Sequence, residues 1–316
     1  MSNSVLCLDI GGSFIKSAVS PAPGQLVMPR QRAMPLSSWP AFVYAVQEII
    51  AQYGDAISEQ SPLALSCAGV VDVANDRILS SNIPPFAGID ITRSLQAELG
   101  RPVAMANDAD CFTLAEARFG AAKDLPVVLG VILGSGIGGG IAINGNILYG
   151  NQGIGAEWGH GPITRTQLRG IELPRLACGC GQQGCLDTLG GAKGMQRLHQ
   201  LLSGQALSSV EIVKQGMAGE ETAAFTLEVW LELVSEPLAH TVNILGPHKI
   251  VAGGGLAGET ALLARLDTAL RAKILLKSAE PLLVAGQFSR EGGLLGASVL
   301  GWEKFCQKCG EFDGSF

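Results

Sequence analysis

The 316-residue sequence has little charge, few aromatic side chains and no excess of basic residues. Charged residues make up 16% of the chain, against roughly 25% in an average globular protein. Apolar residues make up 47%, which excludes a disordered chain held open by charge. The net charge of −6 argues against a general nucleic-acid surface, because phosphate neutralisation needs clustered Lys and Arg. We therefore expect a globular protein with no nucleic-acid partner.

The sequence pattern also lacks a secretion signal and a convincing membrane span. The first apolar run ends at Asp9 and follows no basic segment, so it is not typical of a signal peptide. The charge-free stretch from Leu125 to Ile143 is long enough for a span, but its six glycines favour two short strands around a turn. Three of the eight cysteines fall within residues 178–185, a crowding that suits a metal better than disulfides. We expect a cytoplasmic protein with no membrane partner.

Glycine is abundant, with 42 residues, nearly twice the usual share of about 7%. An apolar strand, a glycine turn and a second apolar strand occur at residues 5–19 and again at residues 127–143. In each case a hairpin fits better than a strand that enters a helix. The repeat of this pattern predicts a duplicated domain plan.

The remaining elements alternate between helix and strand. Helical spacing occurs at residues 39–53, 108–119, 221–244 and 293–305, and strand patterns occur at 63–67, 102–106 and 249–252. Pro237 should break or kink the third helix, and the last helix should pack on the first domain. The prediction is an α/β protein with two similar lobes and a cleft between them. The smaller lobe is assigned to residues 1–121 plus 293–316, and the larger to residues 122–292.

The second glycine segment, Gly134 to Gly139, matches the dinucleotide fingerprint G-x-G-x-x-G. That fingerprint joins a strand to a helix, whereas a second strand follows here, so a Rossmann site is disfavoured. Backbone N–H groups that face a phosphate are the better functional interpretation. Tight hairpin turns without a ligand remain the alternative. A hydroxyl in each turn, at Ser13 and Ser135, favours phosphates.

Two aspartates stand where strands end. Asp9 could hold Mg²⁺, which prefers one or two carboxylates plus nucleotide phosphates, or it could only cap the turn. Asp108, after Asn107, could cap the following helix, or accept a proton from a substrate hydroxyl as a general base. The two roles of Asp108 are compatible, so its position alone does not decide between them.

The cysteine-rich loop predicts a metal site. Cys178, Cys180 and Cys185 supply three thiolates, and the glycines between them let the loop fold around an ion. His160 is the nearest upstream histidine of only four and would complete a closed Cys₃His zinc site. A redox cysteine loop is the alternative. Cys306 and Cys309 form a lone CxxC pattern and are interpreted as spare thiols of undetermined role.

Taken together, these motifs resemble the ROK family of repressors and sugar kinases, within the actin-like (ribonuclease H-like) ATPase superfamily. Asp9-Ile-Gly-Gly-Ser13 and Leu133-Gly-Ser-Gly-Ile-Gly-Gly-Gly140 are similar to the two phosphate loops of that family. Val251-Ala-Gly-Gly-Gly255 is similar to its adenosine segment, and Asn107-Asp108 to the segment with the catalytic aspartate. The Glu157-x-Gly-His160 motif and the cysteine loop are its signature. The resemblance runs over essentially the whole chain.

The resemblance implies an ATP- and Mg²⁺-dependent kinase with structural Zn²⁺, homodimeric assembly as in the family, and Asp108 as the catalytic base. It implies ATP binding through Asp9, Gly11, Gly12, Ser13, Lys16, Gly134, Ser135, Gly136, Gly138, Gly254 and Gly255. It implies sugar binding through Gly69, Asn82, Asn107, Asp108, Glu157, His160 and Asp187. The likeness is strongest to the bacterial branch that phosphorylates N-acetyl-D-glucosamine. The 6-hydroxyl is the expected site of phosphorylation.

Three positions depart from the family pattern. Asp187 replaces the usual Glu after the zinc loop, Gly191 replaces the usual Ser, and Phe14 stands where Lys is common. We expect Asp187 to face the sugar and Gly191 to open the wall of its pocket. These departures leave glucokinase, fructokinase and N-acetylmannosamine kinase as alternatives of the same family.

Two other classes are weighed against the kinase. A repressor needs a helix-turn-helix before the sugar domain, whereas Asp9 already belongs to the first phosphate loop. A non-catalytic sugar-sensing protein would require damage to Asp9 or Asp108, and both are present. The sequence therefore favours an enzyme.

Overall fold

A computed structural model describes residues 3–72, 77–80, 83–86 and 88–309. The strands are β1 (Val5–Ile10), β2 (Phe14–Ser20), β3 (Val27–Ala33), β4 (Leu63–Cys67), β5 (Val70–Asp72), β6 (Arg77–Ser80), β7 (Val103–Asn107), β8 (Val127–Leu133), β9 (Ile137–Ile143), β10 (Asn146–Ile147), β11 (Gln167–Leu168), β12 (Ile171–Glu172), β13 (Lys249–Gly253) and β14 (Leu283–Ala285). The helices are α1 (Trp39–Tyr53), α2 (Ile91–Leu99), α3 (Asp108–Phe119), α4 (Asp187–Gly190), α5 (Ala192–Ser203), α6 (Ser209–Met217), α7 (Glu221–Leu245), α8 (Thr260–Arg271) and α9 (Gly292–Cys309). None of the described helices is both long enough and apolar enough to cross a membrane.

The chain divides into two compact units. Unit 1 comprises residues 1–119, 147–155 and 290–316, and unit 2 comprises residues 120–146 and 156–289. Unit 1 thus takes in residues 147–155, which the division drawn from the sequence assigns to the larger lobe. At Gly153, φ is +76°, and a Cβ there would lie 1.8 Å from the Val71 carbonyl oxygen. This close backbone approach fixes the segment against β5 of unit 1.

The two five-stranded sheets share one plan, which confirms the predicted duplication. Unit 1 has the order β3-β2-β1-β4-β7, and unit 2 has the order β10-β9-β8-β13-β14. In each sheet an antiparallel hairpin, β1–β2 or β8–β9, is followed by parallel strands. The charge-free stretch of the sequence is therefore the β8–β9 hairpin. Mixed α/β sheets in two units are the architecture expected of an actin-like ATPase fold.

Each unit has its own apolar core. In unit 1, Phe42 of α1 and Phe86 pack edge to face with ring centroids 4.9 Å apart. In unit 2, Trp230 of α7 is fully buried and donates its indole N–H to the Gly190 carbonyl at 2.7 Å. Burying Trp with a satisfied N–H contributes large apolar area without leaving a donor unpaired.

Helix α7 runs through Pro237 without a break, so of the two expected effects of Pro237, a break or a kink, the break is wrong. Proline removes one backbone donor and costs about 3 kcal/mol inside a helix. Its neighbours Val234 and Leu238 are fully buried, and their packing offsets that cost. Tertiary burial therefore overrides the local preference.

Helix α9 packs on β1, β4 and α3 of unit 1, as predicted for the last helix. Gly296 permits this approach, because a Cβ there would lie 2.1 Å from the Cys111 carbonyl oxygen. Gly293 passes Asp9 in the same way, with only 2.5 Å between a would-be Cβ and the carboxylate oxygen. Helix α9 therefore packs directly against the Asp9 side chain.

Candidate active site

The first glycine turn follows β1 and places Asp9 opposite Lys16 of β2. One Asp9 oxygen, Oδ1, accepts a hydrogen bond from the Ser66 hydroxyl at 2.8 Å. Its Oδ2 lies 3.3 Å from the Lys16 ammonium, which also donates to the Arg290 carbonyl at 3.1 Å. The sequence analysis missed Ser66. A polar residue within the otherwise apolar strand β4 is the feature of the sequence that could have indicated it. These contacts fix the direction of the Asp9 carboxylate.

Asn107 and Asp108 lie where β7 passes into α3. The Asn107 side-chain oxygen accepts from the backbone N–H of Ala109 at 2.8 Å, and its amide donates to the Gly69 carbonyl at 2.7 Å. Asp108 also accepts from the Ala109 N–H, at 2.9 Å. Asn107 therefore carries much of the helix cap that the sequence analysis assigned to Asp108, and both ends of its amide are engaged within the protein.

Asp108 is exposed to solvent even though protein atoms surround it closely. Desolvation by this surrounding protein raises the pKa of the Asp108 carboxyl to about 6, and the negative charge of Asp9 adds to the rise. Hydrogen bonds from the Ala109 backbone N–H and from Asn107 act in the opposite direction. Among carboxylates, an accessible one with a raised pKa is suited to accept a proton near neutral pH.

The second glycine turn joins β8 to β9, so the G-x-G-x-x-G match lies in a hairpin, as predicted. The Gly134 N–H donates to the Gly136 carbonyl at 3.1 Å across the turn. Gly254, after β13, lies against the same turn, because a Cβ there would be 2.5 Å from the carbonyl carbon of Leu133. Strand pairing within unit 2 thus brings two of the three predicted ATP-binding segments together.

His160, Cys178, Cys180 and Cys185 converge, with their ligand atoms all within 4.8 Å of one another. The Cys178 sulfur lies 3.5 Å from Nδ1 of His160, and the Cys180 sulfur lies 3.6 Å from the Cys185 sulfur. Around a tetrahedral zinc, neighbouring sulfur and nitrogen ligands are about 3.5–3.8 Å apart. The four side chains therefore fit a closed zinc site by both chemistry and spacing.

Glu157 lies beside this cluster. Its Oε2 is 3.7 Å from Nε2 of His160, while Nδ1 of that ring faces the Cys178 sulfur. A carboxylate near the second nitrogen of a metal-binding imidazole commonly fixes the ring orientation. The Glu157–His160 motif and the cysteine loop, apart in sequence, form one structural group.

Asp187 and Gly191 both contact the second glycine turn. Oδ1 of Asp187 accepts from the Ile137 backbone N–H at 2.7 Å, in the second glycine turn. The absence of a side chain at Gly191 does not enlarge the predicted sugar pocket, because a Cβ there would lie 2.5 Å from the Cα of Gly136. That expectation for Gly191 is wrong, since its missing side chain is taken up by backbone contact. Asn82, another predicted sugar-binding residue, lies outside the described residues.

Comparison with known proteins identifies one family. The sequence matches the model of the ROK family over residues 5–304. It is 30% identical to an N-acetyl-D-glucosamine kinase of Pectobacterium carotovorum over 294 residues, which cover 92% of this chain and 97% of that protein. The structure is similar to the ROK hexokinase of Thermus thermophilus, with a TM-score of 0.82, 29% identity, and coverage of 96% of this chain and 99% of the other. A putative N-acetylmannosamine kinase of Listeria monocytogenes, 23% identical, shares the fold with a TM-score of 0.80 over 96% of this chain and 99% of its own.

Proposed function

The chain belongs to the ROK family, and from that premise we propose that it is an ATP-dependent kinase that phosphorylates N-acetyl-D-glucosamine at the 6-hydroxyl. The observation that carries the proposal is the contrast between two aspartates of unit 1. Asp9 is held by Lys16 and Ser66, whereas Asp108 is accessible and has a raised pKa. Two carboxylates in such different environments are suited to different roles.

In this proposal Asp108 is the general base that accepts the proton of the sugar hydroxyl as the phosphoryl group is transferred. Asp9 would hold Mg²⁺, which when bound neutralises phosphate charge. The ATP-binding set is Asp9, Gly11, Gly12, Ser13, Lys16, Gly134, Ser135, Gly136, Gly138, Gly254 and Gly255. Backbone N–H groups of the glycine turns would face the phosphates, because such groups form concave anion sites.

The sugar-binding set consists of Gly69, Asn82, Asn107, Asp108, Glu157 and His160. Structural Zn²⁺, bound by His160 and the three cysteines, would order the loop that carries Glu157. Homodimeric assembly and a cytoplasmic location also belong to the proposal. The first is supported by the resemblance to the family, and the second by four buried cysteines outside the zinc cluster that form no disulfide among the described residues.

A coupled assay of ADP release tests the proposed activity. We expect Mg²⁺-ATP to be consumed with N-acetyl-D-glucosamine at the highest kcat/KM among N-acetyl-D-glucosamine, N-acetyl-D-mannosamine, glucose and fructose. A higher value for another sugar would reassign the substrate within the family. No ADP release with any of the four, in protein that still binds a sugar by calorimetry, would instead favour the non-catalytic sugar-sensing protein.

The raised pKa of Asp108 predicts that the reaction slows at acidic pH. The base must be unprotonated, so kcat/KM for the sugar should fall as the pH drops through about 6, by nearly tenfold per unit below it. A carboxylate at the ordinary value of 3.8 would keep the rate high to about pH 4. The measurement is kcat/KM between pH 4.5 and 8.5 with nucleotide held at saturation. A flat profile down to pH 5 would contradict the assignment of Asp108.

A further inference from the structure

Residues 187–193, which we call the docking segment, lie directly against the second glycine turn. Three hydrogen bonds join them: Ile137 N–H to Asp187 at 2.7 Å, Ala192 N–H to the Gly134 carbonyl at 2.8 Å, and Lys193 N–H to the Ser135 carbonyl at 3.2 Å. The docking segment is therefore bonded along the whole turn from Gly134 to Ile137.

Asp187 makes the only one of these three bonds that depends on a side chain. Its acceptor is a carboxylate and its donor is the backbone N–H at the start of β9, a charge-assisted pairing. The turn between the strands contains two glycines in three residues, which have more conformational freedom to lose than other residues. A fixed acceptor at its exit holds the turn in one conformation.

Gly191 sets how closely the two segments approach. A Cβ at this position would lie 2.5 Å from the Gly136 Cα and 2.7 Å from the Ser135 carbonyl oxygen. Both are backbone atoms, which cannot move aside as the end of a side chain can. At Gly136 the atom that a Cβ would meet is Oδ1 of Asp187, so this glycine lies in the same contact. The short Asp187 side chain and the bare Gly191 therefore belong to the same close contact.

The zinc loop ends at the docking segment. Cys185 precedes Asp187 by two residues, and the Leu186 N–H donates to the Gly161 carbonyl at 2.9 Å, next to His160. The metal ligands thus fix one side of residue 187 while the hydrogen bond to Ile137 fixes the other.

We propose that Asp187 is a positioning residue for the nucleotide: it acts through the second glycine turn, and Gly191 allows the approach that its short side chain requires. The inference rests on the proposed role of that turn in binding the ATP phosphates. It replaces the expectation that Asp187 reads the sugar. A turn that is no longer held would present its N–H groups to the phosphates less often, so nucleotide affinity would fall while sugar affinity stays.

The Asp187→Ala variant separates the two roles. Losing a hydrogen bond to a charged acceptor should weaken Mg²⁺-ADP binding about 10- to 100-fold by calorimetry and raise KM for ATP by a similar factor. The Kd for N-acetyl-D-glucosamine should change by less than about threefold. The matched control is Glu172→Ala, an exposed carboxylate of unit 2, which should alter neither constant. A loss confined to sugar affinity would overturn the inference.

Hydrogen exchange of residues 134–137 gives a readout that does not depend on the reaction. In Asp187→Ala the Ile137 amide should lose protection at least about tenfold, and the Glu172→Ala control should not. Unchanged protection would overturn the inference even if the enzyme were impaired. Wild-type protein that transfers no phosphoryl group, yet binds nucleotide in an Asp187-dependent way, would overturn the proposed function alone.

A double-mutant cycle tests the link between residues 187 and 191. Asp187→Glu and Gly191→Ser each push the docking segment away from the turn, so each should weaken Mg²⁺-ADP binding on its own. Together they should cost clearly less than the product of the single effects, because the second enlargement uses space that the first has made. Gly258→Ser, at a glycine with no heavy atom near its would-be Cβ, is the control for adding a side chain. Effects that multiply fully would show that the two positions are independent.

Discussion

Replacing Asp108 by Asn is expected to lower kcat by about 10²–10⁴ while the protein remains folded. Asn keeps the shape of the side chain and one oxygen that can accept from the Ala109 N–H, but it cannot take a proton from a hydroxyl at neutral pH. The N-terminus of α3 remains capped in this variant, because the Asn107 side-chain oxygen also accepts from the Ala109 N–H, at 2.8 Å. The loss should therefore fall on the chemical step and leave the KM for the sugar within a fewfold.

The matched control for this variant is Asp90→Asn. Asp90 caps α2 and accepts from the Arg93 N–H at 3.3 Å, a role that Asn fills about as well. Both variants should melt close to the wild-type temperature, and only Asp108→Asn should lose kcat. Full activity in Asp108→Asn, or an equal loss in Asp90→Asn, would remove the basis for calling Asp108 the base.

Loss of one zinc ligand is expected to weaken zinc binding by about 10²–10³-fold. Structural zinc binds small domains with roughly 10–16 kcal/mol, and one ligand of four carries about a quarter of that. Cys178→Ser and Cys180→Ser should each be purified with well under one zinc per chain by elemental analysis. Cys306→Ser, which changes a buried cysteine of α9 outside the zinc cluster, should keep the wild-type zinc content.

The order of losses on chelation is a second measurement of the same site. The proposed zinc site joins His160, beside Glu157, to the cysteine loop that leads into Asp187, whereas the core of unit 2 lies around Trp230 and its neighbours. Chelation should therefore reduce sugar and nucleotide affinity at temperatures where the circular dichroism is unchanged. Active wild-type protein that contains no zinc would contradict the structural role of the metal.

The parts of the molecule that the sequence predicted are those encoded over short distances. The β8–β9 hairpin follows from an apolar pattern interrupted by glycines, and the cluster of His160 with three cysteines follows largely from the presence of those cysteines within eight residues. The contact of Asp187 with Ile137 joins residues 50 positions apart, so it depends on how closely two segments pack. No local pattern specifies that spacing, so the sequence analysis predicted a sugar contact for Asp187 and not this hydrogen bond.

Asn107 and Pro237 show two further limits. The cap of α3 needs the positions of the Ala109 N–H and the Gly69 carbonyl, which Asn107 contacts together. The continuity of α7 past Pro237 depends on burial of residues on both sides of it. In both cases tertiary contacts override or complete what the local sequence predicts.

Unit 1 consists of separated stretches of the chain, and this constrains the order in which the parts of the protein can fold during synthesis. Its sheet and its covering helix α9 are separated by residues 156–289, which belong to unit 2. At the usual ribosomal rate that intervening stretch takes roughly 10 s to synthesise. During this interval Val5, Cys7 and Ala64 lack the Leu294 and Ala297 side chains that bury them in the finished protein. The first sheet of unit 1 is therefore partly uncovered throughout this interval, when its exposed apolar side chains can associate with other chains.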